Sequence, residues 1–438
     1  MKRLLFSVAA LFIIFELSAQ QTESNTRKIT VDDAVILAAD NNISLKRQKI
    51  VLDALDMRNK TSWNGVSPSV SVSGSLEIPL DGLLTEMEAT NKYVYGFGAS
   101  VSLALTPSLY TSIRDAKLKF ESGKTSYEDA VRQVELNVRK LFYSLLYTKE
   151  SIALQKRNME TARLRYENNR DKYNRGQLSE LDLLQSQYSY ESQRPAIESA
   201  EIAYQNNIAS FKQTLGIPQS EKIELEGALS DAIPPEAFTV TQNVEDLPSV
   251  KKIQTSIEQQ KNSLLATRFS AYGPSISASY SWGMNRLNDK TEDIKKASAN
   301  ESHGLSLGVR IPLDGYLPWS TGAYSIATQK GTLKDLELQL ENEKTTAALN
   351  LQNSIKNIVQ KQNQMEMLNR NVEIAQKSYD MTLAAYNHGS RDLLTLQNAS
   401  DALLKAKTDR ESHIFNLISA VLDLENMLGV PFGSLGEK

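Results

Sequence analysis

Side chains able to do acid–base or metal chemistry are few here and lie far apart. His303, His388 and His413 are the only histidines in 438 residues, and no two have the i, i+4 spacing of paired metal ligands. There is no cysteine, which excludes thiolate ligation, thiol nucleophiles and disulfides. Serine is abundant, yet the Gly-x-Ser-x-Gly string Gly304-Leu305-Ser306-Leu307-Gly308 falls inside a predicted strand and not at the strand-to-helix elbow that presents a nucleophile, and no Walker-type glycine loop cradles a nucleotide. The sequence predicts no enzyme, no cofactor and no metal. Hydrogen bonding and charge at turns are what remain. Tyr173, Gly176, Glu180 and Asp182 form one polar cluster, and Tyr386, Gly389, Arg391, Asp392, Thr395 and Asn398 form another.

These clusters are one motif used twice. Tyr173-Asn-Arg-Gly176 returns as Tyr386-Asn-His-Gly389 at an offset of 213 residues, and Tyr166, Leu183 and Leu215-Gly-Ile-Pro218 return at the same offset as Tyr379, Leu396 and Leu428-Gly-Val-Pro431. The apolar ladder Tyr204, Ile208, Phe211, Leu215 is likewise matched by Leu417, Val421, Leu424, Leu428. A period this long marks a duplicated domain, not a solenoid. It divides the chain into repeats at 20–218 and 246–431, a connector at 219–245 and a tail at 432–438. The turns fall at about 173–180 and 386–393, with each glycine expected as a helix C-cap of positive φ.

The elements that position these turns follow from periodicity. Residues 1–19 read as a secretory signal peptide: Lys2 and Arg3, a short apolar run, and a small residue, Ala19, at the expected cut. No later run is apolar and long enough to cross a bilayer as a helix. Thr30 starts an amphipathic helix to about residue 62, with a break expected at Asp40-Asn-Asn42. The period then becomes two. Strands are predicted at about 66–78 and 96–106, and again at 275–284 and 303–311, with polar loops at 81–92 and 285–302 between them. Each strand pair feeds a helix free of proline, from about 109 to 174 and from 320 to 387, with apolar residues such as Val131, Val134, Val138, Leu141 and Leu145 at coiled-coil spacing. Helices from about 179 to 215 and from 392 to 428 return, the first with a joint expected at Pro195. Another helix, from about 248 to 269, matches the first one.

One strand face is apolar and the other almost pure serine. Strands of about ten residues with that alternation fit a transmembrane barrel. Val70, Val72, Val101, Leu103, Tyr280, Trp282, Leu307 and Val309 would then meet lipid. Aromatic residues near strand ends, Tyr93, Tyr95 and Phe97 among them, would form its interfacial girdle. A soluble sheet packed on one face would alternate in the same way. Four strands cannot close a barrel, which needs about eight, and lipid tolerates no open edge. Either several protomers share the barrel, three giving twelve strands, or the sheet lies outside the membrane. Charge is nearly balanced, 49 Lys and Arg against 52 Asp and Glu, so nucleic acid is not an expected partner.

In this order and spacing the chain resembles the TolC family of outer-membrane efflux proteins. The resemblance runs from about Thr30 to Pro431 and includes the Tyr-x-x-Gly turn, the following Leu181-Asp182-Leu183-Leu184-Gln185, and the Leu-Gly-[Ile/Val]-Pro ends. It implies a mainly α fold with a β-barrel portion, built from a duplicated helix-strand-strand-long helix-helix unit. It implies a homotrimer in which a twelve-stranded outer-membrane barrel continues as a periplasmic α-helical coiled-coil barrel. It further implies that the turns at Gly176 and Gly389 form a periplasmic tip where an adaptor protein docks and passes cargo from an inner-membrane pump. Arg391 matches an arginine whose polar links hold the tip shut in well-known members, with Tyr386 in the same set. The acidic ring of those members falls on Thr395 and Asn398, neither acidic, leaving Asp392, Asp182 and Glu180 as replacements. The implied function is passive export of small molecules. Type I protein secretion uses the same kind of duct, and a periplasmic coiled-coil structural protein would carry similar helical stripes.

Overall fold

The computed structural model describes residues 26–77, 92–234, 243–289 and 299–435. The expected signal peptide at 1–19 lies outside them. In chain order the elements are β1 (Arg27–Ile29), α1 (Val31–Asn41), α2 (Ile43–Lys60), β2 (Ser69–Glu77), β3 (Lys92–Leu105), α3 (Ser108–Asn174), α4 (Glu180–Glu191), α5 (Arg194–Leu215), β4 (Ile223–Leu225), α6 (Pro248–Tyr272), β5 (Ser275–Asp289), β6 (Ala299–Arg310), α7 (Thr321–Asn387) and α8 (Leu393–Leu428). The long helices α3 and α7 have 67 residues each. At 1.5 Å per residue that is about 100 Å of helix.

Contacts divide the chain into two units. Among the described residues, the first holds 26–47, 129–234 and 350–435; the second holds 48–77, 92–128, 243–289 and 299–349. In the first unit, Leu136, Val138, Phe142, Leu145 and Leu146 of α3 meet Ile208, Phe211 and Leu215 of α5 and Ile414, Ile418 and Leu422 of α8 in one apolar core. The ladders read from the duplication are packed: Phe211, Leu215, Leu417, Leu424 and Leu428 are buried. Thr30 caps α1, accepting from the Asp33 amide while the Asp33 carboxylate accepts from the Thr30 amide. The break expected at Asp40-Asn-Asn42 separates α1 from α2, and Asn42 donates across to the Thr214 carbonyl at 2.8 Å. The joint expected at Pro195 separates α4 from α5, with proline in the first turn of α5, where no amide partner is needed.

In the second unit four strands form an antiparallel sheet in the order β2-β3-β5-β6. Beside it, α6 joins the starts of α3 and α7. Buried Asn262 donates to the Thr111 carbonyl at 2.9 Å, Arg114 pairs with Glu258 at 3.4 Å, and Gln260 bonds Gln329 at 2.6 Å. Leu264, Ala271 and Ile326 make a small apolar core there.

Three sequence expectations change. The first strand starts at Ser69 and not Val66, because Ser62–Val66 closes a 3-10 turn. The loops drawn at 81–92 and 285–302 are shorter at three of their ends. Asn285–Asp289 continue β5, Ala299–Ser302 begin β6, and Lys92–Tyr95 begin β3, pairing as Asn285↔Asn300, Arg286↔Ala299 and Tyr95↔Arg286. The polar residues of the β5 and β6 ends hid this there, since ladder hydrogen bonds are made by the backbone. The parallel pair Arg27↔Ile223 to Ile29↔Leu225 was not foreseen, because three residues are too few to show alternation.

Candidate functional site: a two-faced sheet and paired helical turns

Pairing register decides which strand residues share a face. Val70, Val101, Tyr280 and Leu305 are successive partners across the sheet, as are Val72, Ala99, Trp282 and His303. Leu103, Ala278 and Leu307 form the next row toward the helices, followed by Leu105, Ile276 and Val309. All eight residues expected to face lipid therefore lie on one face. That face is uncovered within the chain: Val70, Val72, Leu307 and Val309 are each 70–81% exposed. His303 sits inside β6 and shares a 2.9 Å hydrogen bond with the Tyr280 hydroxyl.

The opposite face carries Ser69, Ser102, Ser279 and Ser306 in one row and Ser71, Ser100, Ser281 and Gly304 in the next. Serine hydroxyls bond across the strands, Ser69 to Ser102 at 2.7 Å and Ser71 to Ser100 at 2.8 Å. Among the described residues β2 pairs only with β3 and β6 only with β5, so both outer edges present free backbone groups.

The turns lie in the first unit and share one chemistry. Gly176 and Gly389 have φ of 72° and 74°, the left-handed region that glycine enters without a Cβ penalty. Each closes a helix by paired hydrogen bonds: the Gly176 amide to the Tyr173 carbonyl at 2.8 Å and Gln177 to Lys172 at 2.9 Å, then Gly389 to Tyr386 and Ser390 to Ala385, both 2.9 Å. New helices start at once. Ser179 accepts from the Asp182 amide at 3.2 Å, and Asp392 accepts from the Thr395 amide at 2.8 Å. Hydrogen bonds from Thr395, with smaller help from Arg391, hold the Asp392 carboxyl below its usual range.

Tyr386 donates to the Asn169 side-chain oxygen at 3.0 Å, and the Lys172 ammonium lies 5.8 Å from the Tyr386 ring centre. These contacts tie the end of α7 to the end of α3. Asn169 is buried, and its amide nitrogen has no partner among the described residues. Asp182, named as a replacement for the acidic ring, accepts from the Ser179 hydroxyl at 2.7 Å. Arg391 is exposed and makes no hydrogen bond or ion pair among the described residues; Tyr173 and Asn398 are exposed and Thr395 half-buried. The sequence reading missed Asn169 and Lys172 because the duplication puts Thr382 and Ala385 at their places, so comparing repeats passes over them.

No group of histidine, cysteine or carboxylate side chains suited to a metal ion occurs among the described residues, and no described helix is long and apolar enough to cross a membrane. The family model of outer membrane efflux proteins matches residues 35–217 and 247–430. Comparison with curated proteins finds no match. Among solved structures, the fold is similar to that of the transmembrane channel protein CusC, with 14% identity, 92% of each chain covered and a TM-score of 0.73. It is also similar to the Campylobacter jejuni outer membrane channel CmeC, with 17% identity, 91% of this chain and 85% of that one covered, and a TM-score of 0.72. The Vibrio cholerae outer membrane protein VceC gives 11% identity, 92% and 96% covered, and a TM-score of 0.72.

Proposed function

The chain belongs to the outer membrane efflux protein family, whose members are transport channels and not enzymes, and from that premise we propose that it is the exit duct of a three-component export system. Three protomers contribute four strands each to a shared twelve-stranded barrel in the outer membrane. The free edge of β6 in one protomer pairs with β2 of the next, which satisfies the backbone groups that lipid would leave bare. The valine and leucine rows face lipid and the serine rows face a wet lumen. The helices carry the duct across the periplasm to the turns at Gly176 and Gly389, where an adaptor docks. An inner-membrane pump supplies the energy, and small molecules pass outward passively.

At rest the turns hold the duct shut. The Tyr386–Asn169 bond fixes α7 against α3 within a protomer, while exposed Arg391 reaches a neighbouring protomer's polar groups. Adaptor binding spreads the helix pairs, an opening of the hinge type. Asp392 caps one helix and Asp182 bonds the capping Ser179 of the other in this scheme, and neither serves as an ion-selecting ring.

One observation carries the reading: from the Val70 row to the helix end of the sheet, the register puts the valine, leucine, isoleucine and tyrosine side chains on one face with nothing covering it and the serines on the other. Val70→Lys or Val101→Lys, in one mid-strand row, should cost about 2–4 kcal/mol per protomer near the bilayer centre and abolish trimers in outer-membrane fractions. Ser71→Lys and Ser102→Lys should assemble normally. Equal tolerance on both faces would remove the sheet from the membrane.

A further inference from the structure

Along its middle the serine face carries no charge, and the charged residues Glu77 and Arg310 stand at opposite ends. In β6 the residues of this face are Asn300, Ser302, Gly304, Ser306, Gly308 and Arg310; across from them stand Asn285, Gly283 and Ser281 through Ser275. On β2 the face runs Ser69, Ser71, Ser73, Ser75 and then Glu77. Between the Ser75–Gly96–Asn285–Asn300 row and the Ser277–Gly308 row no side chain is ionisable. Arg310, opposite Ser275 at the helix end, is exposed and has no ion-pair partner among the described residues. Glu77 lies some 40 Å away along the strands, several Debye lengths, so the two charges act independently.

We propose that Arg310 is the charge-selecting residue of the duct's barrel section, and that it favours anionic or uncharged polar cargo over cationic cargo. This rests on the reading of the serine face as a lumen. Twelve strands about 4.8 Å apart and tilted by about 40° enclose a backbone diameter of about 24 Å. Serine and glycine take little of that bore, so size and hydrogen bonding exclude little. Three Arg310 guanidinium groups at the inner mouth are then the fixed charge that a solute meets on entering the barrel from the helices. Each lies within roughly one to two Debye lengths of the axis, close enough to bias passage without blocking it.

The absence of cysteine makes the test clean, because a single introduced thiol is the only one. Ser277→Cys, one row from Arg310, and Ser100→Cys, about 20 Å from Arg310 along the face, are made in the full chain and purified as assembled protein. Each thiol reacts with a sulfonate-bearing and a trimethylammonium-bearing methanethiosulfonate, and the rates are normalised to a free thiol in solution. The anion-to-cation rate ratio at Ser277→Cys should fall about two- to fivefold when Arg310→Gln is added, remain with Arg310→Lys, and stay unchanged at Ser100→Cys. Reactive thiols whose ratio ignores residue 310 would overturn the proposal and leave the duct standing. Thiols unreactive to both reagents at both positions would overturn the proposal together with the lumen it assumes.

Discussion

Asn169 sets the energetics of the tip turns more than the repeated residues do. Its side-chain oxygen receives the Tyr386 hydroxyl in a buried place, so removing that donor strands an acceptor beside an amide nitrogen already without a partner. Tyr386→Phe should therefore destabilise the protein by about 1–3 kcal/mol in chemical denaturation and make the resting duct leak, seen as raised conductance. Asn169→Leu should suppress much of that loss in a double-mutant cycle, since both ends become apolar together. Glu425 offers a second residue-scale test. It is fully buried; one oxygen accepts from the Leu435 amide at 3.0 Å and the other has no partner among the described residues. Burial raises its carboxyl above the usual range, although amides of Gly433 and Leu435 oppose the shift. A raised acid holds its proton longer in the folded chain, so folding loses stability as pH climbs through the usual carboxylate range toward the raised value. Glu425→Gln should thus raise the melting temperature at neutral pH, with the gain vanishing below the usual carboxylate range. A gain that is the same at every pH would mean that ionisation is not the cause. The sequence pointed to Tyr386 and the two glycines because they repeat. It could not point to Asn169 or to the pairing of Glu425, which depend on which helix ends the fold brings together.

The elements were more legible than their contacts. Periodicity located the helix pairs, the break at Asn42 and the joint before Pro195, because caps and proline act within a few residues of themselves. The loop-side ends of β3, β5 and β6 were read short, since a ladder of backbone hydrogen bonds does not depend on alternating side chains, while the start of β2 was read three residues long. The helix ends show how local and tertiary causes combine. Gly216 has φ of 68°, and a Cβ there would stand 2.6 Å from the Asn41 carbonyl oxygen, whereas a Cβ on Gly176 would meet nothing within 4 Å. Gly176→Ala should cost about 1–2 kcal/mol from backbone conformation alone. Gly216→Ala carries the same term and must also displace the end of α1, so its midpoint in urea should fall clearly further. Equal midpoints would mean that the close approach of α1 contributes nothing. The glycine itself was readable in Leu215-Gly-Ile-Pro218; the second reason for it was not.

At the scale of the whole molecule, the alternation that suggested a barrel was also consistent with a soluble sheet, and one chain cannot close twelve strands. Register strengthens the membrane reading by leaving the apolar face bare and both edges unpaired. The most direct test is electron-microscope class averaging of the mature protein extracted in detergent. The account predicts threefold hollow cylinders at least about 100 Å long, the length of one long helix. Compact particles that need no detergent would contradict it, and the strands would then have to be buried against something other than lipid.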